Sequence, residues 1–335
     1  MKVAFDTRPV SEPDGIGRYS RCVLAALRAL TCDGDELIET NRPAATMKTG
    51  QADVLHAPWM EGAMLRSPCP SVVTIHDLTQ LKRRSEALRM GLRQRLRHLA
   101  VQRAARIVVP TRAVADDVVE HLGVERRRVV VIPHAADPVM SPRDEREVAS
   151  VRNRFKLPER YLVWVGALQH PDPTKHVREL AATPRRLPLV MVGPTRPWAH
   201  ELPEVTLTGR VSDEDLAAIY SGAHALVLSS ESEGFGLPGV EALACGTPVS
   251  ACRARALVEV LGERATFVPR GDMRSLITAA EAASRPAPAP PAWSWQDAAR
   301  ATWAAYSAAL ADTPVQRNGS REVRRRARRP GVEGV

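Results

Sequence analysis

Short runs of apolar, largely β-branched residues recur along the chain with little polar alternation, at residues 3–5, 54–56, 71–75, 107–109, 129–132, 162–165, 189–192, 205–207, 225–228 and 248–251. Runs of that length without a polar face are what strands covered on both sides look like. Between several of them the apolar positions change to helical spacing, over residues 18–30, 113–122, 213–221 and 238–244. Strand, helix and strand in succession predict parallel sheets joined by right-handed crossovers, an α/β doubly wound architecture.

The pattern runs through two such sets. Between residues 136 and 160, Pro138, Pro142 and a charged stretch interrupt it before Leu162-Val163-Trp164-Val165-Gly166 opens a new strand. The expected organisation is an N-terminal Rossmann-like domain over residues 1–140 and a second over residues 158–285. Residues 284–291 (SRPAPAPP) read as a stiff extended linker. Residues 292–312 read as a closing helix, with Trp295, Ala299, Trp303 and Tyr306 on helical spacing and in need of a partner surface. Residues 313–335, rich in arginine from Arg321 to Arg329, read as a disordered basic tail.

Composition narrows the class. A chain of 335 residues suffices for two domains with cores of their own. No apolar run approaches the length that spans a bilayer, and Met1 to Asp6 becomes charged too soon for a signal peptide, so a cytoplasmic protein is expected. The five cysteines are odd in number and scattered, which suggests neither a disulfide framework nor a zinc site. A net charge of +9 favours anionic partners such as phosphate-bearing small molecules or acidic lipid headgroups. Because that charge concentrates in the terminal tail and aromatics are 4% of the chain, no nucleic-acid partner is expected.

Candidate chemistry concentrates in residues 229–248. After the run at 225–228 the chain passes Gly234 and Gly236, enters a helix with Pro238 in its first turn, and leaves it at Gly246. Glycines that admit a close ligand, together with free amides at a positive helix end, form an anion site suited to a diphosphate. Glu241, one turn further on, can accept hydrogen bonds from ribose hydroxyls. A tight strand-to-helix turn with solvated acids would read the same way if the segment stood alone.

Glu233 and Glu241 reproduce an E-x7-E spacing, and the string EGFGLPxxEAxACGTPV over residues 233–249 resembles the retaining glycosyltransferases of family 4. Further landmarks follow in that family's order: Gly15-Ile16-Gly17-Arg18-Tyr19, Thr74-Ile75-His76-Asp77-Leu78, Val131-Ile132-Pro133-His134, Val165-Gly166 with Lys175, and Gly209-Arg210 through Leu216. The resemblance extends over residues 1 to about 310.

That resemblance implies a GT-B fold, with two Rossmann-like domains facing across a cleft. It implies transfer of a hexosyl group from a nucleoside-diphosphate sugar to a glycan, lipid-linked or small-molecule acceptor. The GIGRY and TIHDL forms look more like mannosyl-transferring relatives, so GDP-mannose is favoured over a UDP-sugar. By resemblance, His76, Lys175 and Glu233 are the catalytic candidates. Glu241 would hold the ribose, and Glu233 with the amides of Phe235 and Gly236 would meet the donor sugar. Gly15, Gly17, Gly166, Arg210, Gly234 and Leu237 complete the donor-binding set, with Gly15 and Gly17 near the diphosphate and acceptor. His76 would sit at the donor sugar, although a histidine at a strand end can also be structural. Lys175 would neutralise the diphosphate, since catalysis here is mostly stabilisation of the leaving group; no nucleophile is assigned.

One departure stands out. Members usually carry an arginine just after Val-Gly or directly before the lysine, where this chain has Ala167 and Thr174. Either Lys175 works alone, Arg210 or another cation substitutes, or activity is reduced. Asp213-Glu214-Asp215 after Ser212 reads as a helix capping box and Asp33-Gly34-Asp35 as a turn, so no essential metal and no cofactor are expected. Residues 82–106 form a basic stretch with Leu88, Leu92, Leu96 and Leu99 on one face and Arg89, Arg93, Arg95 and Arg97 elsewhere. It reads equally as an anionic-membrane contact or as a core-facing helix with a basic rim. A degenerate sugar-nucleotide-binding protein and a sugar-nucleotide epimerase are the alternative functions.

Overall fold

The structure, a computed structural model, describes residues 1–12, 14–48, 51–78 and 91–312. Among them, strands pair into two six-stranded sheets in which every pairing is parallel. The first sheet contains β1 (Lys2–Asp6), β2 (Glu36–Thr40), β3 (Val54–Ala57), β4 (Ser71–Thr74), β5 (Arg106–Val109) and β6 (Val129–Val131), in the order β2-β1-β3-β4-β5-β6. Its helices are α1 (Gly15–Ala29), α2 (Pro43–Lys48), α3 (Leu92–Gln102) and α4 (Arg112–Leu122).

After α5 (Glu145–Phe155) the second sheet contains β7 (Leu162–Val165), β8 (Leu189–Val192), β9 (Val205–Gly209), β10 (Ala225–Leu228), β11 (Val249–Cys252) and β12 (Ala265–Val268), in the order β12-β11-β10-β7-β8-β9. Its helices are α6 (Val177–Ala182), α7 (Asp213–Gly222), α8 (Leu237–Ala244), α9 (Arg255–Leu261) and α10 (Met273–Glu281). The chain then returns to the first lobe as α11 (Trp295–Ala311). This is the doubly wound α/β architecture that the apolar runs predict.

The central strands are buried throughout because helices cover both faces: β3, β4, β5, β8, β10 and β11 bury every residue, including the polar His56, Ser71, Thr74, Arg106 and Ser250. Two strands that the apolar runs do not predict, β2 and β12, are outer strands of their sheets with half-exposed residues. Helix α5 lies inside the charged stretch read as an interruption. It buries only Val148 and Val151 and starts with a capping box between Asp144 and Glu147. The aromatics of α11 find their surface in the first lobe: Trp295 and Tyr306 are buried with Val3, Phe5, Tyr19 and Val23, and the Tyr306 hydroxyl lies 2.6 Å from His56 Nδ1.

Each strand order reverses once, between β1 and β3 and between β7 and β10. In parallel sheets, ligands bind beyond the carboxyl ends of the strands at such reversals, where neighbouring loops diverge. The two sheets turn those ends toward one shared cavity.

Candidate active site

The cavity has a volume of about 1000 Å³. The loops after β1, β4 and β6 bring Gly15, His76 and His134 to one wall; those after β7 and β10 bring Gly166, Lys175, Glu233, Gly234, Phe235, Gly236 and Leu237 to the other. Arg210, Asp213 and Glu241 complete the second wall, and Arg18 reaches in from α1. All the residues singled out from the sequence therefore meet in one place except Gly17, which does not line the cavity. A Cβ on Gly17 would stand 1.9 Å from the carbonyl oxygen of Glu12, so this glycine allows α1 to pack against the preceding turn.

The glycines of the 229–248 segment also meet packing constraints. A Cβ on Gly234 would lie 1.8 Å from the backbone oxygen of His76, so this position lets the two lobes touch. Thr111 reinforces the contact by donating its hydroxyl to the Gly234 carbonyl at 3.0 Å. Gly236 adopts φ 85°, where an L side chain is strained, and its missing Cβ makes room for Leu257. Both still border the cavity. Gly236 is also the N-cap of α8 and supplies no side-chain cap. Pro238 has no amide hydrogen, and the Gly239 amide turns back to the Gly236 carbonyl at 2.9 Å. The donors that this turn can offer a ligand are thus the amides of Phe235, Gly236 and Leu237.

Glu241 lies on α8 beneath that turn and is buried, yet borders the cavity. Its carboxylate accepts from Arg18 Nη1 at 2.8 Å and from the Tyr220 hydroxyl at 3.2 Å. Burial pushes the carboxyl above its ordinary range, and the Arg18 charge opposes that rise. Arg18 also pairs with Asp213, so one guanidinium of the first lobe is clamped by two carboxylates of the second. In the sequence Arg18 stands within GIGRY with nothing beside it to show its role. A cation one turn into a helix that opens on the cleft was the available signal.

His76 donates from Nε2 to the Pro58 carbonyl at 2.9 Å; the ring is half-buried and burial holds its pKa below the usual value. A neutral ring with its proton on Nε2 leaves Nδ1 as an acceptor. Burial also raises the Glu233 carboxyl, opposed chiefly by the charge of Lys175. The cations bordering the cavity include Arg18, Lys175 and Arg210, so the family's usual arginine is missing while cationic charge is not. Of the Asp213-Glu214-Asp215 string, Asp213 pairs with Arg18 and Asp215 with Arg154, while the Ser212 hydroxyl caps α7 by accepting from the Asp215 amide.

The basic stretch is described from residue 91 onward. On α3, Leu92, Leu96 and Leu99 are 74%, 39% and 46% exposed, so its apolar stripe does not face the core of the described residues. Leu88, Arg89, the side chain of Arg93 and the tail at 313–335 lie outside the described residues. Among the described residues, no helix is long and apolar enough to cross a membrane.

Residues 36–139 match the family described as Glycosyltransferase Family 4, and residues 159–285 the family described as Glycosyl transferases group 1. Over 169 residues the chain is 30% identical to O-antigen chain mannosyltransferase B of Escherichia coli, which covers 44% of this chain and 43% of that protein. Over 268 residues it is 30% identical to a D-inositol 3-phosphate glycosyltransferase of Salinispora arenicola, covering 68% of this chain and 59% of that protein. The matched stretches span less than two thirds of these relatives' own lengths. The Anabaena HepE structure in complex with UDP-glucose superposes with a TM-score of 0.67 at 16% identity, over 92% of this chain and 95% of that one; it bears on the fold alone.

Proposed function

Because the chain belongs to the glycosyltransferases of family 4 and group 1, with the GT-B fold, we propose that it moves a hexosyl group from a nucleoside-diphosphate sugar, held in the cleft, to a glycan, lipid-linked or natural-product acceptor. The observation that carries this reading is the start of α8: an uncapped helix end facing the cavity, with Glu241 directly beneath it. The diphosphate takes the amides of Phe235, Gly236 and Leu237, and Glu241 accepts from the ribose hydroxyls. Lys175 and Arg210 neutralise charge as the sugar–phosphate bond lengthens, which is the step that needs stabilising. Glu233 and His76 border the sugar, Gly166 borders the same space, Gly234 keeps the walls close, and Gly15 leaves room for the acceptor.

Transfer proceeds with retention of configuration, the acceptor attacking from the face the diphosphate leaves, and without an essential metal. Relatives named as mannosyltransferases support GDP-mannose as donor, with a UDP-sugar as the next choice. The exposed leucine stripe of α3, flanked by Arg95 and Arg97, supports contact with an anionic membrane from the cytoplasmic side. Vesicles of anionic lipid at low salt test that contact, and failure to bind them removes it.

A thermal-shift panel of GDP-, UDP- and dTDP-sugars tests the central reading, since a ligand that binds only the folded state raises Tm. A flat response across the panel overturns it. Binding without transfer or hydrolysis would point to a degenerate sugar-nucleotide-binding protein, and release of an epimerised free sugar to an epimerase. An inverted anomeric product would refute retention, and loss of activity with chelator, restored by a divalent ion, would refute the metal-free mechanism.

A further inference from the structure

Lys175 sits on a turn with open space on both sides. Lys175 lines the cavity described above, while its neighbours Thr174 and His176 line a second cavity of about 650 Å³. Glu233 borders both. Residues 172–176 and 229–233 therefore form a partition between the two spaces, and packing does not hold a partition in place as it holds a core segment.

Hydrogen bonds take over that task. Within the turn, Asp172 accepts from the Thr174 amide at 2.9 Å and from the Thr174 hydroxyl at 2.7 Å. Two bonds then tie the turn to the segment after β10: the Glu231 amide donates to the Thr174 carbonyl at 2.8 Å, and the Ser229 hydroxyl donates to the Lys175 carbonyl. Of these, only the second is made by a side chain. Ser229 directly follows β10 and has no exposed surface, so water does not compete for its hydroxyl. His176, next in the chain, adopts φ 48°, a conformation that costs a residue with a side chain and persists only where its surroundings enforce it.

We infer that Ser229 is a positioning residue: by holding the Lys175 carbonyl it fixes where the Lys175 ammonium stands, facing the same space as Glu233 and the place of the diphosphate. A lysine is a point charge on a flexible four-carbon stem, so its aim depends on the backbone that carries it. Burial raises the Glu233 carboxyl, and the charge of Lys175 is the chief influence against that rise, which places the two within electrostatic reach. The segment that supplies Glu233 thereby sets the register of Lys175 as well. This assignment rests on the reading of Lys175 as the cation that neutralises the diphosphate.

Isothermal titration of the full chain with UDP and with GDP tests it, in the wild type, Ser229→Ala, Lys175→Ala and the double variant. A turn in place for only part of the time lowers apparent affinity by that fraction. Ser229→Ala is expected to weaken the nucleoside diphosphate that the wild type binds about fivefold. A positioning residue cannot matter more than the residue it positions, so Lys175→Ala should weaken binding at least as much, and the double variant should match Lys175→Ala alone. A merely structural serine would not give that non-additivity. Ser229→Cys keeps the shape of the side chain with a weaker donor; it replaces Ser229→Ala if that variant does not fold, with a smaller loss and the same coupling expected. Unchanged affinity in the serine variant, or losses that add in the double variant, would overturn the inference and leave the transferase reading standing. Wild-type affinity in Lys175→Ala would remove the role of Lys175 and this inference with it. Failure of the wild type to bind either nucleotide would remove the transferase reading itself.

Discussion

Two helices begin at the same cavity, and they treat their free amides in opposite ways. Helix α1 follows β1 and is capped by Asp14, whose carboxylate accepts from the Ile16 and Gly17 amides at 3.0 and 3.1 Å. Helix α8 follows β10 in the other lobe and is capped by Gly236, which has no side chain to offer. Each helix end carries a partial positive charge that favours an anion by about 0.3–1 kcal/mol. The first lobe supplies that anion from its own sequence, and the second supplies no side chain there. Two lobes of similar topology are thus differentiated at a single cap residue. The capped one contributes a guanidinium a turn later, Arg18, and the uncapped one is where the proposed function places the phosphates.

Forcing the lobes apart should have the largest effect on this division of labour. Gly234→Ala would put a methyl group against the His76 carbonyl, and neither backbone can yield locally. Misplacing reacting groups by about an ångström costs on the order of 100-fold in rate. Transfer by Gly234→Ala should therefore fall by about that factor, with kcat affected more than nucleotide affinity. Unchanged kcat would mean that the lobe contact at His76 does not set the geometry of the site.

Next in size is the clamp across the cleft. Arg18→Ala leaves Glu241 and Asp213 without their cation in a largely buried setting, at a cost of about 2 kcal/mol of stability in urea unfolding. Coupling Arg18→Ala with Glu241→Gln in a double-mutant cycle isolates the pair itself. Additive losses would show that Arg18 does not hold the second lobe through Glu241.

What could be read from the sequence, and what could not, follows the same physical lines. Central strands such as β7, β8 and β10 are apolar on both faces and were found at their full length. The outer strands β2 and β12 alternate or stand half-exposed, which erases the signal. Candidate residues of the 229–248 segment were legible because the chemistry and the turn lie in consecutive positions. Arg18 was not, because its meaning depends on a partner more than 100 residues away, Glu241. The packing roles of Gly17 and Gly234 are also invisible in the sequence, because only the folded backbone brings them against the carbonyl oxygens of Glu12 and His76.

The two lobes also titrate in opposite senses. In the first lobe, burial pushes His56 down to about 3 and lowers His76 and His134; in the second, burial raises Glu233 and Glu241. A histidine whose folded pKa is depressed binds fewer protons folded than unfolded. Its contribution is present above pH 6.5, the ordinary value, and is lost as pH falls below that. The raised carboxyls act in the other direction: their penalty is relieved as pH falls toward the ordinary carboxylate range. For His56 alone the loss by pH 5 amounts to about 2 kcal/mol. The urea midpoint should drop between pH 7 and pH 5, and His56→Gln should flatten that drop. An unchanged slope in the variant would mean that His56 protonates freely in the folded chain.

Removing the cap from α1 should have the smallest effect and gives the most direct test of the comparison. Asp14→Ala takes away the side chain that occupies the Ile16 and Gly17 amides, which costs about 1 kcal/mol of stability, the usual value of an N-cap. It also removes a negative charge from the cavity wall, so repulsion of a bound diphosphate weakens. If the diphosphate sits at α8, as the uncapped Gly236 implies, the nucleoside diphosphate should bind a few-fold more tightly to Asp14→Ala, because the wall it faces has lost a carboxylate while its own helix end is untouched. If affinity falls instead, Asp14 must be holding α1 in a shape that the ligand uses, and the anion site would belong to both helices. Asp14→Asn separates these cases, since asparagine keeps the cap but not the charge: the gain in affinity should persist in it while the loss of stability should largely disappear.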